Sequence, residues 1–164
     1  MPTGNQLNHR ASFEVRAARA DEAATICAVL RRSITELCAA DHQNNPVWLA
    51  DWLANKQPEV VAGWIADPDN SVLVAVADGT VLGAACVKRS GAIALNYVSP
   101  DARFRGVSRA MLAAMEAIAK SHGCREVTLT STLTAHDFYL AAGYTDRDDA
   151  FARGDSPLMG KVLD

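Results

Sequence analysis

At 164 residues, 49% of them hydrophobic, the chain is long enough to bury a substantial core, and nothing in it marks a second one. Its formal net charge of −3 argues against a nucleic-acid surface, which carries a basic stripe. No apolar run approaches the roughly 20 residues of a membrane span, and the first dozen residues hold no apolar signal region, so the sequence reads as cytoplasmic, with neither nucleic acid nor membrane as a partner.

Residues 1–12 are polar and read as a disordered lead-in to a single domain over 13–164. Phe13 to Ala17 predicts a first strand. Asp21 suits the N-cap or first turn of a helix whose Ala23, Ile26, Leu30, Ile34 and Leu37 share one face, with Arg31-Arg32 on its solvated side. Helical stretches follow at Pro46–Asn55 and Pro58–Ala66. Each opens on a proline, which a first turn tolerates because the missing N–H has no helical partner there. The period then changes to that of strands. Val72–Ala77 and Val81–Val87 are apolar β-type runs, and the Asp78-Gly79 between them is a hairpin signal.

Ile93–Val98 is a further strand, ended by Ser99-Pro100. Arg103-x-x-Gly106-x-Ser108 leads from it into a helix with Val107, Met111, Ala114, Met115 and Ile118 on one face. Arg109, Glu116 and Lys120 take the other, with Glu116 and Lys120 at favourable i,i+4 spacing. A helix start presents unpaired N–H groups and the positive end of the macrodipole, and a glycine there lets an anion approach the backbone. With Arg103, Arg105 and Arg109 around it, the turn reads as a phosphate cradle. Gly123 ends the helix, and Glu126–Thr130 is another strand. In the block Ala135 to Tyr144, Phe138 and Tyr139 suit core aromatics and Gly143 a helix C-cap. A C-terminal strand pair completes an α/β fold: a mixed, mostly antiparallel sheet flanked by helices.

Cys27, Cys38, Cys86 and Cys124 lack C-x-x-C spacing and sit in or beside apolar elements, so neither disulfides nor a metal site is expected. A nucleophilic role for Cys124 is weighed against a buried small hydrophobe, and its place between helix and strand favours the latter.

Arg103-x-x-Gly106-x-Ser108 resembles the Q/R-x-x-G-x-G/A signature of the GNAT superfamily of acyl-CoA-dependent N-acetyltransferases, with Ser108 where that family has Gly or Ala. Ala135-His136-Asp137-Phe138-Tyr139-Leu140-Ala141-Ala142-Gly143-Tyr144 is similar to its A-x-x-F-Y-x-x-x-G-F/Y block, in the same order along the chain. The resemblance covers most of the chain from Phe13 onward. It implies a GNAT-like fold and acetyl-CoA as co-substrate, its pyrophosphate held by Arg103, Phe104, Arg105, Gly106, Val107 and Ser108. It further implies pantetheine contacts from Tyr97, Val98, Thr132 and Phe138. Thr132 stands where many relatives have an asparagine. The family's splayed strand supplies a backbone N–H donor, matching positions around Asn96, Tyr97 and Val98, and its tyrosine, here Tyr139, points at the thioester sulfur.

Amide formation needs a neutral amine, a donor for the developing oxyanion and a proton or field for the leaving thiolate. Asn96 interrupts its strand with a polar side chain, either to orient the amine or a water, or as a bulge residue bonding backbone. Asp41 and His42 border the region that forms the acceptor pocket in the family. His42 has the intrinsic pKa of a base or water relay, or it satisfies carbonyls at a helix end. Trp48 and Trp52 share a helix face, either packing the helical layer or walling a pocket for an apolar amine. The net charge of −3 favours a cationic amine. The reading is an N-acetyltransferase that moves acetyl from acetyl-CoA to a primary amine of a small molecule or peptide, by direct transfer in a ternary complex. Homodimerisation is common in the family. The alternative is a non-catalytic acyl-CoA-binding sensor or regulatory module, since no dedicated base stands out in the sequence.

Overall fold

A computed structural model of the chain describes residues 12–164, so the expectation of disorder over residues 1–11 lies outside the described residues. The elements run β1 (Glu14–Ala17), α1 (Ala23–Leu37), α2 (Ala39–His42), α3 (Pro46–Leu53), α4 (Pro58–Ala66), β2 (Asn70–Ala77), β3 (Thr80–Lys88) and β4 (Ile93–Val98). Then follow α5 (Val107–Ser121), β5 (Glu126–Thr130), α6 (His136–Ala141), β6 (Thr145–Asp146) and β7 (Leu158–Val162). A short 3₁₀ turn, Ala20–Glu22, precedes α1, so Asp21 lies in that turn rather than capping the helix.

Among the described residues the strands form two sheets, an antiparallel β1-β2-β3-β4 and an antiparallel β5-β7-β6. Asp78 (φ 49°) and Gly79 (φ 75°) both take the left-handed conformation, and the β2–β3 hairpin closes through them. Both faces of the first sheet are covered, which explains why β2 and β3 are continuous apolar runs rather than alternating ones. On one face Leu73, Ala75, Ala85 and Val87 pack against Val107, Met111, Leu112 and Met115 of α5. On the other, Val72, Val74, Ala84 and Cys86 pack against Ile26, Leu30 and Val61 of α1 and α4.

Two local expectations change in three dimensions. Glu116 pairs not with Lys120 but with Lys161 (2.6 Å), a contact that ties α5 to β7. Arg31 and Arg32 are more than a solvated face. The Arg31 guanidinium donates to the carbonyls of Leu53 and Lys56, and Arg32 pairs with Glu36 and Asp101, each at 2.9 Å.

Candidate active site

The site begins where the two sheets part. β4 pairs with β3 from Gly83↔Val98 to Val87↔Ile93, with Ala94 as an extra residue bulging out of the ladder. On its other side β4 meets β5 only near the isolated parallel bridge Ala92↔Thr128, where the Thr128 N–H donates to the Gly91 carbonyl at 3.1 Å. Beyond that point the strands diverge around a cavity of about 420 Å³, lined by Ile93 to Val98 on one wall and by Leu129, Thr130 and Thr132 on the other. The Ser99 N–H donates back to Leu82 on β3 at 2.7 Å. N–H direction alternates along a strand, so those of Val98 and Asn96 face the cleft.

Asn96 is not the bulge residue. Its Nδ2 donates to the Tyr139 hydroxyl oxygen at 3.4 Å, while its Oδ1 is buried with no partner. Tyr139 is held by aromatic edges, with Phe138 at 5.1 Å and Tyr144 at 5.5 Å between ring centroids. Burial raises the Tyr139 hydroxyl above the ordinary phenol range, opposed by the Asn96 hydrogen bond. Helix α6 is fixed at its start by His136, whose Nε2 lies 2.9 Å from the Asp146 carboxylate and whose ring stacks on Phe151 at 3.7 Å.

At the opposite end of the cavity α5 begins. Its first helical hydrogen bond runs from Ala110 N–H to the Gly106 carbonyl at 3.0 Å, so the N–H groups of Val107, Ser108 and Arg109 precede the ladder, and no side chain caps them. Gly106 sits at φ 79°, and a Cβ there would touch nothing, so the glycine serves backbone conformation and leaves open space above the helix start. Phe104 is also left-handed (φ 63°) and 93% exposed, with the Arg103 guanidinium 4.7 Å from its ring centroid. Arg103, Phe104, Gly106, Val107, Ser108 and Arg109 line the cavity, whereas Arg105 is exposed outside its lining. The cavity's lining therefore brings together Asn96, Tyr97, Val98, most of the phosphate turn, Thr132, Phe138 and Tyr139. Thr132 Oγ1 accepts from the Ala135 N–H at 3.0 Å and so also tethers the start of α6.

Asp41, His42 and Trp48, expected near the acceptor, are not in the cavity lining, though Asp41 bonds to Thr134, which is. His42 is buried with both ring nitrogens engaged. Nε2 faces the carbonyls of Ile34 (3.0 Å) and Thr35 (3.2 Å) and so carries the ring proton, while Nδ1 accepts from the Asn44 N–H at 3.0 Å. Asp41 clips α2 to the loop after β5, accepting from Leu133 N–H (2.6 Å), Thr134 N–H (3.2 Å) and Thr134 Oγ1 (2.6 Å). Trp48 is half exposed on α3, away from the cavity lining. The wall also holds Ser33, Leu37, Cys38, Thr134 and Ala135. Only Ser33 had a local sign in the sequence, as a polar residue on the face shared by Leu30, Ile34 and Leu37. Burial pushes the Cys38 thiol up to about 12. Among the described residues no group of His, Cys, Asp and Glu is gathered to hold a metal.

A strand edge opened by diverging sheets, continued by an uncapped, glycine-led helix start and faced by a buried tyrosine, marks the main cleft of this α/β protein. Residues 38–159 match the family profile described as an acetyltransferase (GNAT) domain, and the chain belongs to that family. Comparison with curated proteins gives no match. Among solved structures the chain is similar to the PaiA N-acetyltransferase of Thermoplasma acidophilum in complex with coenzyme A (21% identity, 93% of this chain and 99% of that one, TM-score 0.82). It is also similar to a GCN5-related N-acetyltransferase of Rhodopseudomonas palustris (24% identity, 93% and 96%, TM-score 0.81). An acetyltransferase of Thermus thermophilus matches at 16% identity over 94% and 99%, with TM-score 0.68. At these identities the likeness is one of fold.

Proposed function

We propose that this protein transfers the acetyl group of acetyl-CoA to a primary amine by direct transfer in a ternary complex. The observation that carries this reading is the continuity of one cavity from the α5 N-terminus, along the free edge of β4, to the Tyr139 hydroxyl. Its fit to a pantetheine-phosphate chain is supported by the bound coenzyme A of the Thermoplasma relative. When bound, acetyl-CoA supplies an acetyl group activated as a thioester. The N–H groups of Val107, Ser108 and Arg109 bind the pyrophosphate, aided by the Arg103 charge and the macrodipole. The edge N–H groups of Asn96 and Val98 are the donors available to a carbonyl oxygen gaining charge.

Tyr139 receives a hydrogen bond from Asn96, so its own proton remains free to donate to the departing sulfur. Burial makes the phenol a weaker acid, so it acts by hydrogen bonding rather than by ionising. In the balanced reaction the N–C bond forms, the C–S bond breaks, and one proton passes from nitrogen to sulfur. Direct transfer is supported by Cys38: the thiol on the cavity wall, pushed up to about 12, is not a nucleophile near neutral pH.

Thermal unfolding with and without acetyl-CoA tests the reading. Ligand at about 100 times its Kd adds roughly 2.7 kcal/mol to the stability of the folded state. Gly106→Glu, which places bulk and negative charge at the helix start, abolishes that shift. Absence of any shift in the folded parent protein would overturn the assignment. CoA binding without acetyl transfer across a broad amine panel would instead make it a non-catalytic acyl-CoA module.

A further inference from the structure

Among the described residues Phe104 is the large apolar side chain most exposed to solvent, at 93%. The other exposed phenylalanine, Phe151, stacks on His136. The Phe104 backbone is unusual as well: its φ of 63° is left-handed, a conformation that a bulky residue adopts only under strain. The chain therefore keeps a phenyl ring where the backbone favours glycine or asparagine and where burial returns nothing to stability.

The ring is presented rather than loose. Ala102 and Val107, both buried, anchor the two ends of the loop over residues 103–106, and the Arg103 guanidinium lies 4.7 Å from the ring centroid. That cation covers one face and leaves the other open. Phe104 also belongs to the cavity lining, so it stands at the mouth, beside the start of α5.

A phenyl face is negative and carries no donor, so it offers nothing to phosphate oxygens, which the N–H groups of Val107, Ser108 and Arg109 serve. What an open face backed by an arginine takes up is another flat π-system. With the thioester at Tyr139 and the phosphates at the start of α5, the direction of the co-substrate along the cavity is set. The part that emerges past the phosphates is its adenosine. The charges around the ring suit a further phosphate on that ribose: Arg103 and Arg105 are cations, and the Asp101 carboxylate before them is paired with Arg32 at 2.9 Å.

We propose that Phe104, backed by Arg103, is a stacking platform for the adenine ring of the co-substrate at the cavity mouth, so that the protein selects the nucleotide-bearing acyl carrier over a bare phosphopantetheine arm. The inference rests on the acetyl-CoA reading above and gives a role to the one part of that molecule left without a partner there. The Phe104 ring thus serves the base rather than the pyrophosphate.

Phe104→Gly and Phe104→Asn both remove the ring and both suit a left-handed backbone, so an effect they share belongs to the ring and not to a loosened loop. Each is titrated calorimetrically with CoA, with adenosine bisphosphate, which is its nucleotide half, and with phosphopantetheine, which lacks the base. Affinity for CoA and for adenosine bisphosphate is expected to fall about tenfold in both variants, the effect of losing one base–aromatic stack. Affinity for phosphopantetheine is expected to stay that of the parent protein. Phe104→Trp, which keeps a π face, is expected to retain CoA affinity. The thermal midpoint of unliganded Phe104→Gly is expected to match or exceed the parent's, because strain is relieved and no packing is lost.

Parental CoA affinity in the two ringless variants would overturn the proposal. An equal loss for phosphopantetheine would also overturn it, by showing that the ring only shapes the phosphate loop, and a lowered midpoint would do so by showing that the ring supports the fold. Self-association that depends on the ring while CoA affinity does not, read by sedimentation, would make Phe104 a contact between copies instead. A parent protein that binds no CoA overturns this inference and the acetyl-transfer reading together. One that binds CoA equally well without the Phe104 ring overturns this inference alone.

Discussion

The side-chain amide of Asn96 donates to the Tyr139 hydroxyl oxygen across the gap between β4 and α6, at 3.4 Å. The pair joins the two walls of the cavity, and it fixes which way the phenol proton points: away from the amide, into the space between the sheets. Tyr139→Phe keeps the ring in its aromatic cluster and removes only that proton. Turnover is expected to fall about 100-fold with little change in the KM for acetyl-CoA, measured by initial rates at saturating amine. Asn96→Ala, which frees the hydroxyl to rotate, is expected to lower kcat about tenfold. Unchanged turnover in Tyr139→Phe would remove Tyr139 from the chemistry.

Tyr144 offers the contrast. Its ring is almost completely buried against Tyr139, and its hydroxyl has no hydrogen-bond partner. Burying an unpaired hydroxyl costs about 1–3 kcal/mol, so Tyr144→Phe is expected to leave stability unchanged or raise it by about 1 kcal/mol. Urea unfolding measures this, and a clear loss would mean that the hydroxyl has a partner in solution.

Gly83 lies under the start of α5. A Cβ there would stand 2.8 Å from Met111 Cε, 2.9 Å from the Tyr97 carbonyl oxygen and 3.1 Å from Val107 Cγ1. The methionine tip can move, but the backbone oxygen cannot without disturbing β4. Gly83→Ala is expected to cost about 1–3 kcal/mol and to weaken CoA binding, because it presses on Val107 at the helix start and on the strand edge together. Unfolding and CoA titrations on one preparation check both effects.

Near the start of the described chain, Arg16 grips both oxygens of Glu22 at 2.8 Å each, and the Arg19 N–H adds a third bond at 2.7 Å. The Arg16 guanidinium, with that backbone N–H, holds the Glu22 carboxyl at about 2 rather than 4.5, against the opposing effect of burial. A depressed carboxylate contributes stability that is complete above its unfolded pKa and disappears as pH falls through its folded one. Glu22→Gln is therefore expected to lose about 2 kcal/mol at neutral pH, with the gap to the parent protein closing between pH 4.5 and about 2. Urea midpoints across that range test the sign as well as the size.

Much of the fold was legible because its signals are local. Ile93–Val98, Glu126–Thr130 and Pro58–Ala66 have the bounds their apolar runs and flanking turn residues predict. The cradle at Gly106 was legible for the same reason, since a glycine, arginines and a helix start lie within a few residues. What could not be read was the choice of distant partners. The divergence at the centre sets β4 and β5, each the edge strand of its own sheet, on either side of the gap, joined only at the bridge Ala92↔Thr128. Asp41 carries no local sign that its partner is the N–H of Leu133, 92 positions away. His42 is decided by carbonyls of the helix before it, and Glu116 by a lysine on the last strand rather than the one a turn ahead. A polar side chain's role is set by the donor or acceptor that tertiary structure brings to it, and no local pattern encodes that.

The parting of the sheets beyond Ala92 and Thr128 also has a bearing on colloidal behaviour. It leaves the Ile93–Val98 segment as a strand edge unpaired on one side, and a hydrophobic, β-prone edge is an open template for a second chain. Here that edge faces inward, with Leu129 and Tyr139 across from it. A flexible thread of ligand can lie along it, but a strand carrying its own sheet is too thick to follow. The same parting of the sheets that opens the cavity thus recesses its unpaired edge, which makes it a poor template for pairing between copies.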